Sequence, residues 1–234
     1  MPVSSVTFDL DGTLLDTARD IFVACQRVLA EMRQPARSEA DIRRFVGRGM
    51  DELITRCLFW DAPPTHADVE EGMRLFRRFY VEENGRATQA YPGVVAGLRA
   101  FHASGLPLAV VTNKSAAFTR PLLEQTGLAG YFRQVVCGDS TPFKKPHPEP
   151  ILHACRLLGV APADNLHIGD SVNDALAARA AGSLAWLVPY GYTEGKPLSA
   201  DDCDALICDF PTAWQKLETL RGGGRGERQR FNAK

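Results

Sequence analysis

Short apolar runs alternating with longer helical patterns constrain this chain more than any other feature of its sequence. The runs at 5–9, 106–112, 134–137, 165–168 and 184–188 are short and carry apolar residues, and they read as strands buried on both faces of a parallel sheet. The intervals after the second run are long enough for crossover helices, so the pattern predicts an α/β fold in which helices wrap a parallel sheet. The interval between the first two runs is too long for a single crossover. Within it Ile21, Cys25, Val28, Leu29 and Met32 recur at helical spacing, and Ser38-Glu39-Ala40-Asp41 has the form of a capping box. Val69, Met73, Phe76 and Tyr80 make a further stripe that Asn84-Gly85 stops. We therefore expect a core from residues 1–15 and 90–221, an inserted helical domain at 16–89 and a flexible tail at 222–234, which opens on three glycines. Pro121 should bend or divide the helix expected over 115–127.

Polar residues cluster where the apolar runs end. Phe8-Asp9-Leu10-Asp11-Gly12-Thr13 follows the first, Thr112-Asn113 closes the second, Lys144-Lys145-Pro146 follows the third and Gly169-Asp170-Ser171-Val172-Asn173-Asp174 follows the fourth. In a parallel sheet such positions share the carboxyl edge, where these folds bind ligands. Each cluster alone could be a turn or a helix cap; four at successive strand ends point to a site. Asp9 and Asp170 offer the hard oxygens that Mg²⁺ takes. A lysine can neutralise phosphoryl oxygens, Thr112 adds a hydroxyl donor, and a carboxylate can attack phosphorus.

At these residues the sequence resembles the haloacid dehalogenase superfamily, whose four motifs match Asp9-x-Asp11, Thr112, Lys145 and Gly169-Asp170-x-x-x-Asp174 in order, over nearly the whole chain to about residue 221. The resemblance implies a Rossmann-like sheet of order 5-4-1-2-3 with a helical cap inserted after the first strand. It implies Asp9 as nucleophile and Asp11 as general acid and then base. Mg²⁺ would be held by the side chains of Asp9 and Asp170 and the backbone carbonyl of Asp11. Thr112 and Asn113 would hold the phosphoryl oxygens, Lys145 would balance charge, and Asp174 would orient the lysine or a metal-bound water. Lys145 is preferred to Lys144 because the family lysine directly precedes Pro-x-Pro, and His147 between those prolines reads as a loop residue. Val46-Gly47-Arg48-Gly49, Tyr91-Pro92-Gly93-Val94 and Gly191-Tyr192-Thr193-Glu194-Gly195 are similar to the phosphoglycolate phosphatase branch, which implies 2-phosphoglycolate as substrate. Arg48, between flanking glycines, is the expected partner of its carboxylate.

A net charge of −1 and 24% charged residues give no electrostatic reason to expect nucleic acid or an anionic membrane as partner. A small phosphorylated metabolite is the expected partner. The six cysteines are scattered without zinc or redox spacing and read as reduced thiols filling a core. With no signal-peptide pattern and no apolar run near membrane length, the expected setting is the cytoplasm, as monomer or homodimer. Competing readings are a phosphomutase or a sugar-phosphate or pyrophosphate phosphatase of the same superfamily, or a silent binding module. The full motif set disfavours the last.

Overall fold

In a computed structural model that describes residues 3–228, with side chains through 221, β1 (Ser5–Phe8) leaves the sheet by a sharp turn into β2 (Leu15–Asp16). Four helices follow: α1 (Ala18–Glu31), α2 (Glu39–Phe45), α3 (Met50–Leu58) and α4 (His66–Glu83). The Ser38 hydroxyl caps α2 by accepting from Asp41 N at 3.1 Å. β3 (Gln89–Ala90) pairs antiparallel with β2, so a two-stranded ribbon closes the base of the helical insertion. Buried Asp20 secures that return, accepting from Gly85 N at 3.0 Å, Ala87 N at 2.8 Å and Thr88 N at 3.1 Å.

Beyond the ribbon come α5 (Val94–Ala103), β4 (Leu108–Val111), α6 (Ala116–Gln125), β5 (Gln134–Val136), α7 (Glu149–Leu158), β6 (Asn165–Gly169), α8 (Val172–Ala181), β7 (Leu184–Leu187), β8 (Ala205–Leu206) and α9 (Phe210–Arg228). The sheet is parallel with order β5-β4-β1-β6-β7-β8. Its first five strands in sequence, leaving the ribbon aside, stand in the expected order 5-4-1-2-3. β8 is an unexpected sixth on the edge, too short to leave an apolar run. This is the Rossmann-like architecture.

Apolar residues of α5, α6 and α9 cover one face of the sheet, centred on Phe8, whose ring stacks on Phe210 and meets Phe101 edge-on, each at 5.6 Å. Alanine-rich α8 and α7 cover the other. The helical insertion has its own apolar cluster, to which the core contributes Phe118 from α6 and Tyr192 from the loop after β7. Of the six thiols, five are buried and Cys208 is exposed. α6 runs through Pro121 without dividing there, with Phe118, Leu122 and Leu123 buried. One expectation needs correction. α9 stays helical through the glycines at 222–224 to Arg228, where a flexible tail was expected; the rest of that tail, 229–234, lies outside the described residues. No described helix is long and apolar enough to cross a membrane.

Candidate active site

β1, β4 and β6 are neighbours in the sheet, so the residues that end them meet at one edge. Asp9 continues the β1 ladder, its N–H donating to Ile168 O at 2.9 Å. Asp170 follows β6 directly. Carboxylate oxygens of Asp9, Asp170 and Asp174 lie within 4.8 Å of one another, all buried. Glycines make room for them: a Cβ on Gly12 would stand 2.2 Å from Asp170 Oδ2, and one on Gly191 2.3 Å from it. Thr13 Oγ1 and Tyr192 N donate to Asp170 at 3.1 and 2.7 Å.

Lys145 enters this cluster and Lys144 does not. The Lys145 ammonium donates to Asp9 Oδ1 at 2.8 Å, Asp174 Oδ1 at 2.6 Å and Val111 O at 2.7 Å, whereas half-buried Lys144 reaches Asp51. Asp174 is the hub. Its Oδ2 accepts from the N–H and hydroxyl of Ser171, and its Oδ1 also faces His167 Nε2 at 3.2 Å. Burial pushes the Asp9 carboxyl up to about 7 against the pull of Lys145, and raises Asp170 with help from the Asp9 charge. Burial pushes Asp174 upward too, but Lys145 and His167 hold it below the ordinary carboxylate range. One ammonium against three carboxylates leaves two formal negative charges in a buried site, the deficit that a divalent cation offsets. A gap of about 10 Å³ beside these acids is the size of a single small ion or water.

Behind the site the sheet interior carries a polar string. Ser5 Oγ donates to Asn165 Oδ1 at 2.8 Å and Asn165 Nδ2 to Thr7 Oγ1 at 3.1 Å. Thr7 Oγ1 meets His167 Nδ1 at 2.9 Å, and His167 reaches Asp174. Burial lowers the His167 imidazole, keeping it neutral. These residues lie inside runs that read as apolar, so their pairing becomes visible only with the strand order.

In front of Asp9 opens a cavity of about 460 Å³ between the sheet edge and the helical insertion, with Asp9, Asp11, Thr112, Asn113, Lys114 and Tyr80 among its walls. Asp11 accepts from Thr17 Oγ1 at 2.7 Å and from Lys114 Nζ at 3.0 Å. Thr112 Oγ1 accepts from Lys114 N at 3.2 Å, which leaves its hydroxyl proton to donate. Two expected substrate ligands have protein partners here. The Asn113 amide is occupied: Nδ2 donates to Gly47 O and Lys145 O and Oδ1 accepts from Lys145 N, each at 2.9 Å, so it ties the loop after α2 to the lysine backbone. Arg48 turns away from the cavity, its side chain 47% exposed and its guanidinium on Glu194 at 2.9 Å. His147, as expected, is a loop residue, stacked on Phe143.

Lys114 and Tyr80 were not singled out as site residues by the sequence. Lys114 Nζ donates to Tyr80 Oη at 2.6 Å, and both side chains are almost fully buried. The available signal was the place of Lys114 two residues beyond Thr112, at the end of an apolar run. Tyr80 stood in a helical apolar stripe, where its ring packs on Phe76 and Phe118.

The geometry can be set beside known proteins. Residues 6–188 match the family model of haloacid dehalogenase-like hydrolases. The chain is 44% identical over 209 residues to the phosphoglycolate phosphatase of Thiobacillus denitrificans and 46% identical over 209 residues to that of Nitrosospira multiformis, in each case covering 88% of this chain and 92% of the relative. The crystal structure of a predicted phosphoglycolate phosphatase from Haemophilus somnus superposes with a TM-score of 0.83 at 33% identity, over 88% of this chain and 94% of that one.

Proposed function

The chain belongs to the haloacid dehalogenase-like hydrolases, and on that premise we propose that it is a magnesium-dependent phosphatase hydrolysing 2-phosphoglycolate to glycolate and phosphate through an aspartyl phosphate on Asp9. The observation that carries the reading is the meeting of Asp9, Asp170, Asp174 and Lys145 at one sheet edge, beside a cavity that also holds Asp11. The names of the relatives support the substrate.

Asp9 and Asp170, with the Asp11 carbonyl, would hold Mg²⁺. When bound, the ion supplies positive charge against the phosphoryl oxygens. An Asp9 oxygen attacks phosphorus while the bond to the ester oxygen breaks, and Asp11 gives that oxygen its proton. Lys145 and the Thr112 hydroxyl take up charge on the transferring group. A water, losing its proton to Asp11, then attacks phosphorus; phosphate leaves and Asp9 is restored. Asp174 keeps Lys145 aimed at Asp9.

Phosphate release from 2-phosphoglycolate, ethyl phosphate and 3-phosphoglycerate tests this, with Mg²⁺ and with EDTA. Turnover should favour 2-phosphoglycolate, stop in EDTA and return with Mg²⁺. Asp9→Asn should cut kcat at least about a thousandfold, roughly 4 kcal/mol of barrier, with the thermal midpoint retained. A variant keeping a tenth of the activity would mean Asp9 is not the nucleophile.

A further inference from the structure

We infer that Lys114 and Tyr80 together bind the second anionic group of the substrate, and that their place beside Asp11 selects an ester whose carboxylate lies on the carbon next to the ester oxygen. The inference rests on the phosphatase reading above and identifies what reads the leaving group.

With Arg48 on Glu194, the core motifs provide positive charge for the phosphoryl group alone. Lys144 and Arg77 also line the cavity, but Lys144 is half-buried and paired with Asp51, and the cation paired with Asp11 among the described residues is Lys114. Lys114 is set apart by that contact. Its ammonium lies in the cavity wall, 3.0 and 3.3 Å from the two oxygens of Asp11 and 2.6 Å from the Tyr80 hydroxyl. The Tyr80 oxygen accepts from that ammonium, so its own proton is left to donate, and no acceptor for it is seen among the described residues. Tyr80 is held rigidly: its ring stacks on Phe76 at 4.9 Å, meets Phe118 edge-on at 4.9 Å, and lies under the Lys114 ammonium at 4.7 Å.

Asp11 fixes where the ester oxygen must come, because it hands that oxygen a proton. In 2-phosphoglycolate the carboxylate oxygens lie about 3 Å from the ester oxygen, by ordinary bond lengths. A cation already touching Asp11 therefore has the right reach. A carboxylate set further along the chain, or none, would leave the ammonium and phenol without their anion. On binding, Lys114 exchanges contact with one carboxylate for contact with another, so its buried charge is never left unpaired. One ligand comes from the loop after β4 and the other from α4, so the anion is complexed only when the two layers are together.

The test compares kcat/KM for 2-phosphoglycolate and ethyl phosphate, which has the same length without the carboxylate. In Lys114→Met the ratio of the two should fall roughly 10- to 150-fold, the range for a charge-assisted hydrogen bond, and in Tyr80→Phe about three- to tenfold. A ratio unchanged in Lys114→Met overturns the inference. Should that variant show no measurable turnover of either substrate, so that no ratio exists, Tyr80→Phe decides, since it keeps the ring packing: a reduced ratio supports the inference and an unchanged one overturns it. If the wild-type protein itself does not prefer 2-phosphoglycolate, the substrate reading falls and the inference with it. A preference that survives in both variants sinks the inference alone.

Discussion

Two lysines reach the candidate carboxylates from different sides, and they are held in different ways. Lys145 donates to Asp9, Asp174 of α8 and the Val111 carbonyl, all parts of the core. Lys114 divides its contacts between Asp11 of the core and Tyr80 of α4 in the helical insertion. The first arrangement lies wholly within the core; the second exists only where core and helical insertion meet. Burial works against both ammonium groups, and in both the adjoining acids raise them above the ordinary lysine range. Charge at the reacting centre is thus a property of the core, and recognition of the leaving group a property of the interface.

That contrast can be broken by experiment. The largest effect is expected from Lys145→Met, which leaves Asp9 and Asp174 buried without their shared cation. A stability loss of about 3 kcal/mol or more follows for a buried pair stripped of one partner, or roughly 6 to 12 °C in Tm for a chain of this size. Lys114→Met removes a cation from one carboxylate that keeps its Thr17 hydroxyl, and should lose roughly half as much. Thermal unfolding of both variants in EDTA decides; equal losses would erase the distinction. Next comes Asp170→Ala, which should raise the Mg²⁺ concentration needed for half-maximal phosphate release at least about tenfold, with activity partly recovered at high Mg²⁺. An unaltered requirement would move the metal elsewhere. The smallest effect belongs to Arg48→Ala. A half-exposed ion pair contributes at most about 1 kcal/mol, so activity should stay within about threefold and change equally for 2-phosphoglycolate and ethyl phosphate. A selective loss on 2-phosphoglycolate would return carboxylate recognition to Arg48 and weaken the case for Lys114.

The five longer strands were legible because each carries apolar residues in a short run, despite the polar Ser5, Thr7, Asn165 and His167 within two of them, and the acids were legible because each follows such a run. β8 has two residues and no room for a pattern. The partners that Asn113 and Arg48 have in the fold were not legible for one reason: what they bind is remote in sequence. Glu194 lies 146 residues from Arg48, and Gly47 lies 66 from Asn113. Flanking glycines showed that backbone comes close to something near Arg48, without showing that Asn113 is what it approaches. Tyr80 obeyed the helical stripe and was buried as the stripe requires, yet its hydroxyl reaches a lysine 34 residues away. Periodicity reports which face of a helix is covered and is silent about the polar tip of the residue covering it.

The polar string inside the sheet bears on how the chain reaches this fold. Ser5 pairs with Asn165 and Thr7 with His167 as register partners of β1 and β6, and the same pairs are joined through their side chains. A slip of one residue would set Ser5 and Thr7 against Leu166 and Ile168, on strands buried from end to end. Four polar side chains would lose their cross-strand partners, at about 1 to 3 kcal/mol for each group left unpaired. The same slip would carry Asp9 out of line with Asp170. A misaligned sheet is therefore rejected by its own interior before any substrate arrives, and these four residues proofread the assembly of a site that only His167 among them touches, through Asp174.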